Sequence, residues 1–263
     1  MLKFPAIPSR NREMLYTNSC VSEYIGSQIF NIAGVCAQET MLGTFRKNGK
    51  EKVVVACKDF TTPETVLQDF ASLKNTIIDS EHNGYGTEIT DILETIEQQQ
   101  SVDSFELKKH FWNMFIVDAF IGNWDRHNGN WGFLYNNRTD EMKIAPVYDC
   151  GSCLFPQADD EIMQAVLNDR AERDIRIFKI PTSGIKRNGQ KINYFDFISS
   201  LEFEDCNEAL ERILPKIDMN RIDKLIDDIA YISDLQKTFY KVILRERKEK
   251  ILDKSLEILK RTR

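Results

Sequence analysis

The stretch that most restricts what this chain can fold into is GNWDRHNGNWG at residues 122–132, a run of polar and aromatic side chains bounded by glycines. It follows the largely apolar FELKKHFWNMFIVDAFI, which predicts a helix over about residues 105–121. Two short β-like runs, WGFLY and MKIAPVYD, come next, and the turn residues NNRTDE join them. This hairpin ends on Asp149, so the sequence predicts a helix, a polar loop, a hairpin and an Asp-x-Gly in that order.

The order of these parts is that of the catalytic segment of protein kinases, where a D-x-x-x-x-N loop precedes a metal-binding Asp-x-Gly. Phosphoryl transfer needs a carboxylate that accepts the proton of the attacking hydroxyl, and hard oxygen ligands that hold Mg²⁺ against the nucleotide phosphates. Asp125 suits the base, and Asn130 and Asp149 suit the metal ligands. The alternative is an Asx-rich turn that caps the helix, with its Asp and Asn side chains bonded to their own backbone.

The N-terminal residues combine short β-like and helical patterns. LKFP predicts the end of a strand, and apolar residues at helical spacing from Val21 to Ile32 predict a helix, with Asn18 or Ser19 as N-cap and Gly34 as its end. ETMLGTF and KEKVVVACKDF flank the turn signal RKNGK and predict a β-hairpin. This part of the chain is therefore expected to form strand, helix, strand and strand.

Helical patterns dominate after residue 62, with a loop predicted around HNGYG and a long charged helix over about residues 236–261. The expected fold class is α+β. Its expected organisation has two lobes, a small β-rich lobe at residues 1–62 and a larger, mostly helical lobe at residues 63–263 that carries the polar loop and the Asp-x-Gly.

Charge and hydropathy narrow the function classes. The net charge of −6 and the pI near 5.3 give no global basic field, so direct nucleic-acid binding is not expected. No run approaches the roughly 18 consecutive apolar residues of a membrane helix, and MLKFPAIPSR is neither a signal peptide nor a transit peptide. The sequence therefore predicts a soluble, cytoplasmic chain without membrane partners.

The six cysteines are scattered, which is typical of a reducing compartment rather than of a disulfide framework. Cys150 and Cys153 form a C-x-x-C. This spacing suits a redox pair or half of a zinc site, but neither a βα setting nor a second ligand pair is visible. Both alternatives are therefore disfavoured.

The strings IGNWDRHNGNWGF and IAPVYDCGSCLFPQADD resemble the HipA-like family of bacterial serine/threonine kinases. Further segments, MLKFP, SEYIGSQI, VVVACKDFTT, LPKIDMN and RERKEKI, are also similar to a member of that family, so the resemblance runs from residue 1 to about residue 255. It implies a two-lobed protein-kinase-like fold and ATP and magnesium as cofactors. It also implies phosphate transfer to serine or threonine of a protein substrate, with autophosphorylation included.

By this resemblance, Asp125 is the catalytic base, Asn130 and Asp149 are magnesium ligands, and Lys3 contacts the nucleotide phosphates. Without the resemblance, Lys3 is better explained as a solvated terminal lysine. Glu23 is the only acid inside the first predicted helix and is the candidate for an ion pair that positions Lys3. A helical wheel puts Glu23 opposite the apolar face, where it meets either the nucleotide cleft or plain surface.

The same resemblance makes residues 57–60 the hinge that holds adenine. Phe60 is expected to lie against the base, while backbone groups near Lys58 and Asp59 are expected to bond its edge. His127 is expected to brace the catalytic loop by hydrogen bonds rather than to move protons.

Two departures from the family affect the expected function. Kinases of this kind have a glycine-rich loop over the phosphates, and the strands that carry it are missing before Lys3. The chain is then a fragment, or its start codon is misplaced, or another polypeptide supplies the first strands of its small lobe. An antitoxin is a further partner that the resemblance allows. The alternative function is a nucleotide-binding or toxin–antitoxin component that is inactive alone. Trp124 stands where many protein kinases have arginine, so control by a phosphorylated activation loop is not expected. The resemblance also allows secretion to a host cell.

Overall fold

The structure, a computed structural model, describes residues 1–5, 17–77 and 83–263. Within those ranges the strands are β1 (Leu2–Lys3), β2 (Thr40–Lys47), β3 (Lys50–Cys57), β4 (Thr65–Asp69), β5 (Gly132–Asn136), β6 (Glu141–Ile144), β7 (Lys186–Arg187) and β8 (Gln190–Lys191). The helices are α1 (Ser19–Ile32), α2 (Phe70–Ile77), α3 (Ile89–Gln98), α4 (Ser104–Ile121), α5 (Asp160–Asn168), α6 (Arg170–Phe178), α7 (Tyr194–Ser199), α8 (Glu204–Ile213), α9 (Met219–Asp227), α10 (Asp234–Arg247) and α11 (Lys254–Thr262). A 3₁₀ turn follows α8 at Leu214–Lys216, and a π-helical segment at Lys248–Asp253 joins α10 to α11.

An antiparallel sheet in the order β1-β3-β2 forms the N-terminal part of the molecule and contains the predicted strand and hairpin. The turn between β2 and β3 is tight because Asn48 and Gly49 adopt left-handed backbone angles, with φ of 53° and 73°. β1 pairs with the end of β3 and sets Lys3 directly opposite Val55. Paired residues share one face of a sheet, so Lys3 lies on the face that the buried Val55 turns towards α1.

Helix α1 packs across this sheet, and its apolar face, including Ile25 and Ile29, is buried. The helix starts where the sequence predicts, but the Asn18 side chain does not cap it. Asn18 Nδ2 donates to Ala158 O at 2.8 Å, and Asn18 Oδ1 accepts from Gln236 Nε2 at 3.0 Å. The expected cap residue therefore ties α1 to the segment that follows the Asp-x-Gly and to α10.

A second antiparallel sheet, β4-β5-β6, lies next to the polar loop. The β5–β6 hairpin is the predicted one, whereas β4 carries no clear alternation in TVLQD and was not expected. β6 also ends at Ile144, earlier than the predicted run to Asp149. Pro146 has no N–H to continue the ladder, and Val147 instead forms a single parallel bridge with Ala37.

Helix α4 is buried along most of its length and passes through the centre of the larger part of the molecule. The Asp103 side chain caps its start by accepting the Glu106 N–H at 2.8 Å. Gly122 ends it in a left-handed conformation, with φ of 65°, and donates its N–H to Asp118 O. The helix therefore delivers the polar loop at a defined point in the core.

The predicted C-terminal helix is present as α10, the π-helical segment and α11, and a Ser233–Gln236 capping box begins it. The predicted loop HNGYG contains a turn at Asn83 and Gly84, while its His82 lies outside the described residues. None of the helices in the described ranges has the length and apolarity needed to span a bilayer. The lobe boundary near residue 62 stays a prediction.

Candidate active site

A cavity of about 410 Å³ lies between the β1-β3-β2 sheet, α1 and the polar loop after α4. Four residues predicted from the sequence line it: Lys3, Glu23, Asp125 and Asp149. The other lining residues come from the same elements and are Phe4, Ser19, Cys20, Val55, Trp124, Gly151 and Ser152. Carboxylates from three separate chain segments therefore share one cavity with a lysine.

Lys3 is bonded to two acids at the floor of this cavity. Its Nζ is 3.0 Å from Asp149 Oδ1 and 3.2 Å from Glu23 Oε1. Burial lowers the pKa of Lys3, but the two carboxylates outweigh burial and hold that pKa above its ordinary value. The side chain is only 27% exposed, so the solvated terminal lysine is not what the structure contains.

Glu23 is buried beneath Lys3, with a side chain that is 2% exposed, which excludes the plain-surface alternative. Burial raises the pKa of Glu23, and the Lys3 ammonium only partly opposes this effect. The space next to Glu23 depends on a glycine, because a Cβ at Gly151 would lie 3.2 Å from Glu23 Oε2. The packing of α1 against the Asp-x-Gly motif therefore depends on the small size of Gly151 as well as on the charge of Glu23.

Glu23→Gln tests the burial of this acid through stability. A raised pKa in the folded state means that the folded protein holds this proton more tightly than the unfolded chain does. The contribution of Glu23 to the free energy of unfolding is therefore greatest below its ordinary pKa of 4.5 and is lost as pH rises through the folded-state pKa. Lys3 keeps Asp149 as a partner in the variant. We expect an unfolding free energy equal to or slightly above that of the wild type at neutral to alkaline pH.

Urea denaturation of wild type and Glu23→Gln at about pH 5 and about pH 8 compares the two proteins close to the ordinary carboxyl pKa and well above it. If the unfolding free energy of Glu23→Gln, relative to that of the wild type, is lower at about pH 8 than at about pH 5, the assigned cost of burying Glu23 is contradicted.

The Asp125 loop is held by its own backbone. The Asp125 N–H donates to Asn123 Oδ1 at 3.2 Å, and the Asp125 carbonyl accepts from the His127 N–H at 2.9 Å and from Asn130 Nδ2 at 3.0 Å. The Asx-turn alternative therefore describes Asn123 and Asn130, whose side chains bond the loop backbone, whereas the Asp125 side chain lines the cavity. Burial raises the pKa of Asp125 above its ordinary value, which strengthens this carboxylate as a proton acceptor.

Arg126 is 2% exposed and joins this loop to α4 and to the Asp149 motif. Its Nε donates to Asp118 Oδ2 at 2.9 Å and its Nη2 to Asp118 Oδ1 at 3.2 Å, a two-point ion pair inside the core. Its Nη1 donates to Asn130 O at 2.7 Å and to Tyr148 O at 2.6 Å. Arg126 Nη1 thus links Asn130, at the end of the loop, to Tyr148, the residue before Asp149.

Asp149 has a left-handed backbone conformation, with φ of 59°, which a non-glycine residue adopts only when its surroundings enforce it. The Tyr148 hydroxyl donates to Gly129 O at 3.1 Å and fixes the residue before Asp149. Cys150, the residue after it, packs so closely on α1 that a Cβ at Gly26 would lie 2.7 Å from Cys150 Cβ. Contacts on both sides therefore hold the strained residue, whose side chain is 47% exposed at the cavity.

Asn130 and Asp149 carry oxygens that suit a divalent cation. Asn130 Nδ2 donates to Asp125 O, which leaves Asn130 Oδ1 for a metal. Asp149 uses Oδ1 for Lys3 and keeps Oδ2 for a second contact. A few hard protein oxygens, completed by phosphate and water, are the usual ligands of Mg²⁺, so the two residues fit this ion. Asn130 is buried and is not among the residues that line the cavity.

The predicted hinge is only partly suited to hold adenine. The Lys58 N–H donates to Glu39 O at 2.9 Å, so this group is already engaged within the protein, and the expected contacts of backbone groups near Lys58 and Asp59 with the edge of adenine stay predictions. The Lys58 side chain also points to Glu39, with Nζ 2.6 Å from Oε1. Phe60 lies nearer the motif, with its ring centroid 6.0 Å from that of Tyr148. Adenine contacts from Asp59 and Phe60 stay predictions.

Two further loop residues act on the backbone. His127 Nδ1 accepts the Gly129 N–H at 3.0 Å, a contact of the kind expected from a bracing residue. Asn128 Nδ2 donates to Gly84 O at 2.9 Å and to Gly86 O at 2.8 Å, which anchors the loop on the turn before α3.

The C-x-x-C pair is part of the core. Cys150 Sγ accepts from Arg126 Nη2 at 3.7 Å, and Cys153 Sγ donates to Ser22 O at 3.3 Å. Burial raises the pKa of both thiols, which opposes the thiolate that a metal ligand or nucleophile requires. Across residues 1–5, 17–77 and 83–263, no three His, Cys, Asp or Glu side chains are grouped to hold a metal.

Three residues that hold the site received no role from the sequence: Asp118, Arg126 and Tyr148. A signal existed for Asp118, because an acid inside the apolar run FIVDAFI has to be buried with a partner. No pattern marks Tyr148, whose importance lies in its carbonyl and hydroxyl contacts.

Comparison with known proteins finds relatives among the HipA-like kinases. The family model of the HipA-like C-terminal domain matches residues 1–232. The chain is 49% identical over 254 residues to the serine/threonine-protein kinase CtkA of Helicobacter pylori strain J99, an alignment that covers 96% of this chain and 77% of that protein. The crystal structure of the proinflammatory kinase CtkA of Helicobacter pylori superposes with a TM-score of 0.91 at 44% identity and covers 100% of this chain and 91% of that chain.

A more distant structure shows the fold alone. HipA of Shewanella oneidensis MR-1, solved with HipB and its operator DNA, superposes with a TM-score of 0.56 at 13% identity and covers 90% of this chain and 57% of that chain.

The two-lobed α+β fold, with its shared cavity, defines an enzyme of the kinase class. The chain belongs to the HipA-like C-terminal domain family. The family resemblance and the fold expected from the sequence are therefore confirmed.

Proposed function

We propose that this enzyme is an ATP- and Mg²⁺-dependent kinase that transfers the γ-phosphate to a serine or threonine hydroxyl of a protein, with autophosphorylation included. The observation that carries the proposal is that the Asp125 and Asp149 side chains line one cavity with Lys3, which is 3.0 Å from Asp149. The relative that shares 49% of its residues with this chain is a serine/threonine-protein kinase.

Each polar side chain then has a distinct task. Lys3 binds the nucleotide phosphates, and Glu23 holds the Lys3 ammonium in place from below. Asn130 and Asp149 are the residues that would hold magnesium, which neutralises charge on the phosphates. Asp125 accepts the proton of the attacking hydroxyl, and its raised pKa makes it a better acceptor than an exposed aspartate. Phe60 and the Asp59 backbone receive adenine.

A partner protein fits the exposed face of the N-terminal sheet. Phe45 and Met41 are exposed there, and Phe45 stacks edge to face with Phe4, which also lines the cavity, with ring centroids 5.3 Å apart. HipA of Shewanella was solved with HipB. We infer that a partner protein such as an antitoxin binds on this side, and that the enzyme works in the bacterial cytoplasm. The net charge of −6 argues against direct nucleic-acid binding.

Transfer of labelled γ-phosphate from ATP to a general protein substrate, followed by phosphoamino-acid analysis, tests the proposal. We expect phosphoserine or phosphothreonine, on the substrate or on the enzyme itself, and complete loss of transfer when EDTA removes the metal. Excess Mg²⁺ should restore the rate, which is the control for chelation. ATP binding without transfer to any hydroxyl, even after long incubation, favours the nucleotide-binding alternative instead.

A further inference from the structure

Arg247, in the last turn of α10, is fully buried, with an exposed fraction of 0%. Its guanidinium donates hydrogen bonds to main-chain carbonyls. Nε donates to Ala119 O at 3.0 Å and to Phe120 O at 3.2 Å, and Nη2 donates to Ala119 O at 2.7 Å. Burial lowers the pKa of Arg247 to about 10, so the guanidinium stays charged at neutral pH.

The same guanidinium reaches a second helix. Its Nη1 is 3.3 Å from Arg176 O and 3.3 Å from Ile177 O, in the last turn of α6. The carbonyls at the end of a helix have no partner within the helix and carry partial negative charge. Arg247 therefore supplies donors and a positive charge to the C-terminal ends of α4 and α6 at once.

The end of α4 depends on these donors. Asp118 O is satisfied by the Gly122 and Asn123 N–H groups, and Ile121 O accepts the Leu154 N–H at 3.1 Å. Ala119 O and Phe120 O, which lie between them, are the carbonyls that Arg247 takes up. Arg247 also packs against Gly122, the first residue after α4, where an added Cβ would lie 3.3 Å from Arg247 Nε.

From Gly122 the contacts lead to the proposed base in two steps. The Tyr194 hydroxyl donates to Asn123 O, and the Tyr194 ring centroid lies 5.9 Å from Arg247 Cζ. Asn123 Oδ1 in turn accepts the Asp125 N–H at 3.2 Å. α10 also changes to a π-helical segment at the residue after Arg247, and such segments are frequent at functional sites.

We propose that Arg247 is a positioning residue for Asp125, an inference that rests on the function proposed above. By capping α4 it fixes the point at which the catalytic loop begins. Arg247 is not among the residues that line the cavity. Its effect on phosphate transfer is therefore exerted through the backbone of residues 119–125.

Two substitutions and one matched control separate this role from general stability. Arg247→Lys keeps the charge, but an ammonium lacks the planar fork that spans two helix ends, and Arg247→Met removes both. Ile243→Ala, one turn earlier on α10 and equally buried, loosens the core without touching these carbonyls. Hydrogen–deuterium exchange of residues 119–130, together with kcat and KM for ATP, is measured below the melting transition of every variant.

We expect faster exchange over residues 119–130 in both Arg247 variants, with kcat lower by about 100-fold and KM for ATP nearly unchanged. Ile243→Ala should keep wild-type exchange in that segment and a near-normal kcat. Wild-type exchange over residues 119–130 in Arg247→Lys overturns the inference, and so does a loss of kcat in Ile243→Ala as large as that in Arg247→Lys. A wild-type enzyme that transfers no phosphate would contradict the proposed function. Hydrogen–deuterium exchange does not depend on activity, so it would still test the role of Arg247 in that case.

Discussion

Asp125→Asn is expected to lower kcat for phosphate transfer by about 10²- to 10⁴-fold while the affinity for ATP stays close to that of the wild type. The amide has the shape of the carboxylate but does not accept the hydroxyl proton. The hydrogen bonds from Asp125 to Asn123, His127 and Asn130 use its backbone and therefore survive the change. Single-turnover transfer and ATP binding, measured on one sample, separate the two quantities.

Asp160→Asn is the matched control, because it makes the same chemical change at an exposed aspartate in the first turn of α5, outside the cavity. It should transfer phosphate at the wild-type rate. The wild-type enzyme should also lose activity on acidification with an apparent pKa above the ordinary Asp value of 3.8, because the proton acceptor must be ionised and burial raises its pKa. A fully active Asp125→Asn enzyme is incompatible with the assigned base.

Arg126→Met should lower the free energy of unfolding by about 3–5 kcal/mol, because it leaves the Asp118 carboxylate buried without its cation. The lost guanidinium also frees Asn130 O and Tyr148 O, which it holds at 2.7 Å and 2.6 Å. Urea denaturation measures the change. Arg138→Met serves as the control, since Arg138 is 76% exposed and its pair with Glu64 should be worth less than about 1 kcal/mol.

The double variant Asp118→Leu/Arg126→Met sharpens this prediction. It removes both buried charges, so the unfolding free energy should recover in part relative to Arg126→Met alone. The catalytic rate should not recover, because the loop and the Asp149 motif remain untied. An Arg126→Met protein that is as stable as Arg138→Met would show that the buried ion pair does not hold this region.

Elements with a local signal could be predicted from the sequence. α4 has an apolar run and a Gly122 stop, and the β2–β3 turn has Asn48-Gly49, which suits left-handed backbone angles. β4 has no such signal, because Val66 and Leu67 are both exposed and its existence depends on pairing with the distant β5. Elements with a local sequence pattern could therefore be predicted, whereas a strand that depends on long-range pairing could not.

In the candidate site, too, some features could be predicted from the sequence and others could not. The spacing of Asp125, Asn130 and Asp149 belongs to a motif that can be read along the chain. The side of α1 on which Glu23 lies depends on which face the sheet covers, and a helical wheel does not contain that information. The Lys58 N–H is taken by Glu39 O, a backbone contact that no side-chain pattern records. Arg247 also bonds backbone carbonyls, and a sequence pattern does not identify such partners.

The central claim is that Asn130 and Asp149 hold one divalent cation beside the terminal phosphate of a nucleotide that faces Asp125. A crystal structure with Mn²⁺ and a non-hydrolysable ATP analogue tests it most directly, because manganese is located by its anomalous signal. We expect an anomalous peak bonded to oxygens of Asn130 and Asp149, with the γ-phosphate in the cavity of about 410 Å³ on the Asp125 side. A nucleotide bound outside this cavity, or manganese held by other residues, contradicts it.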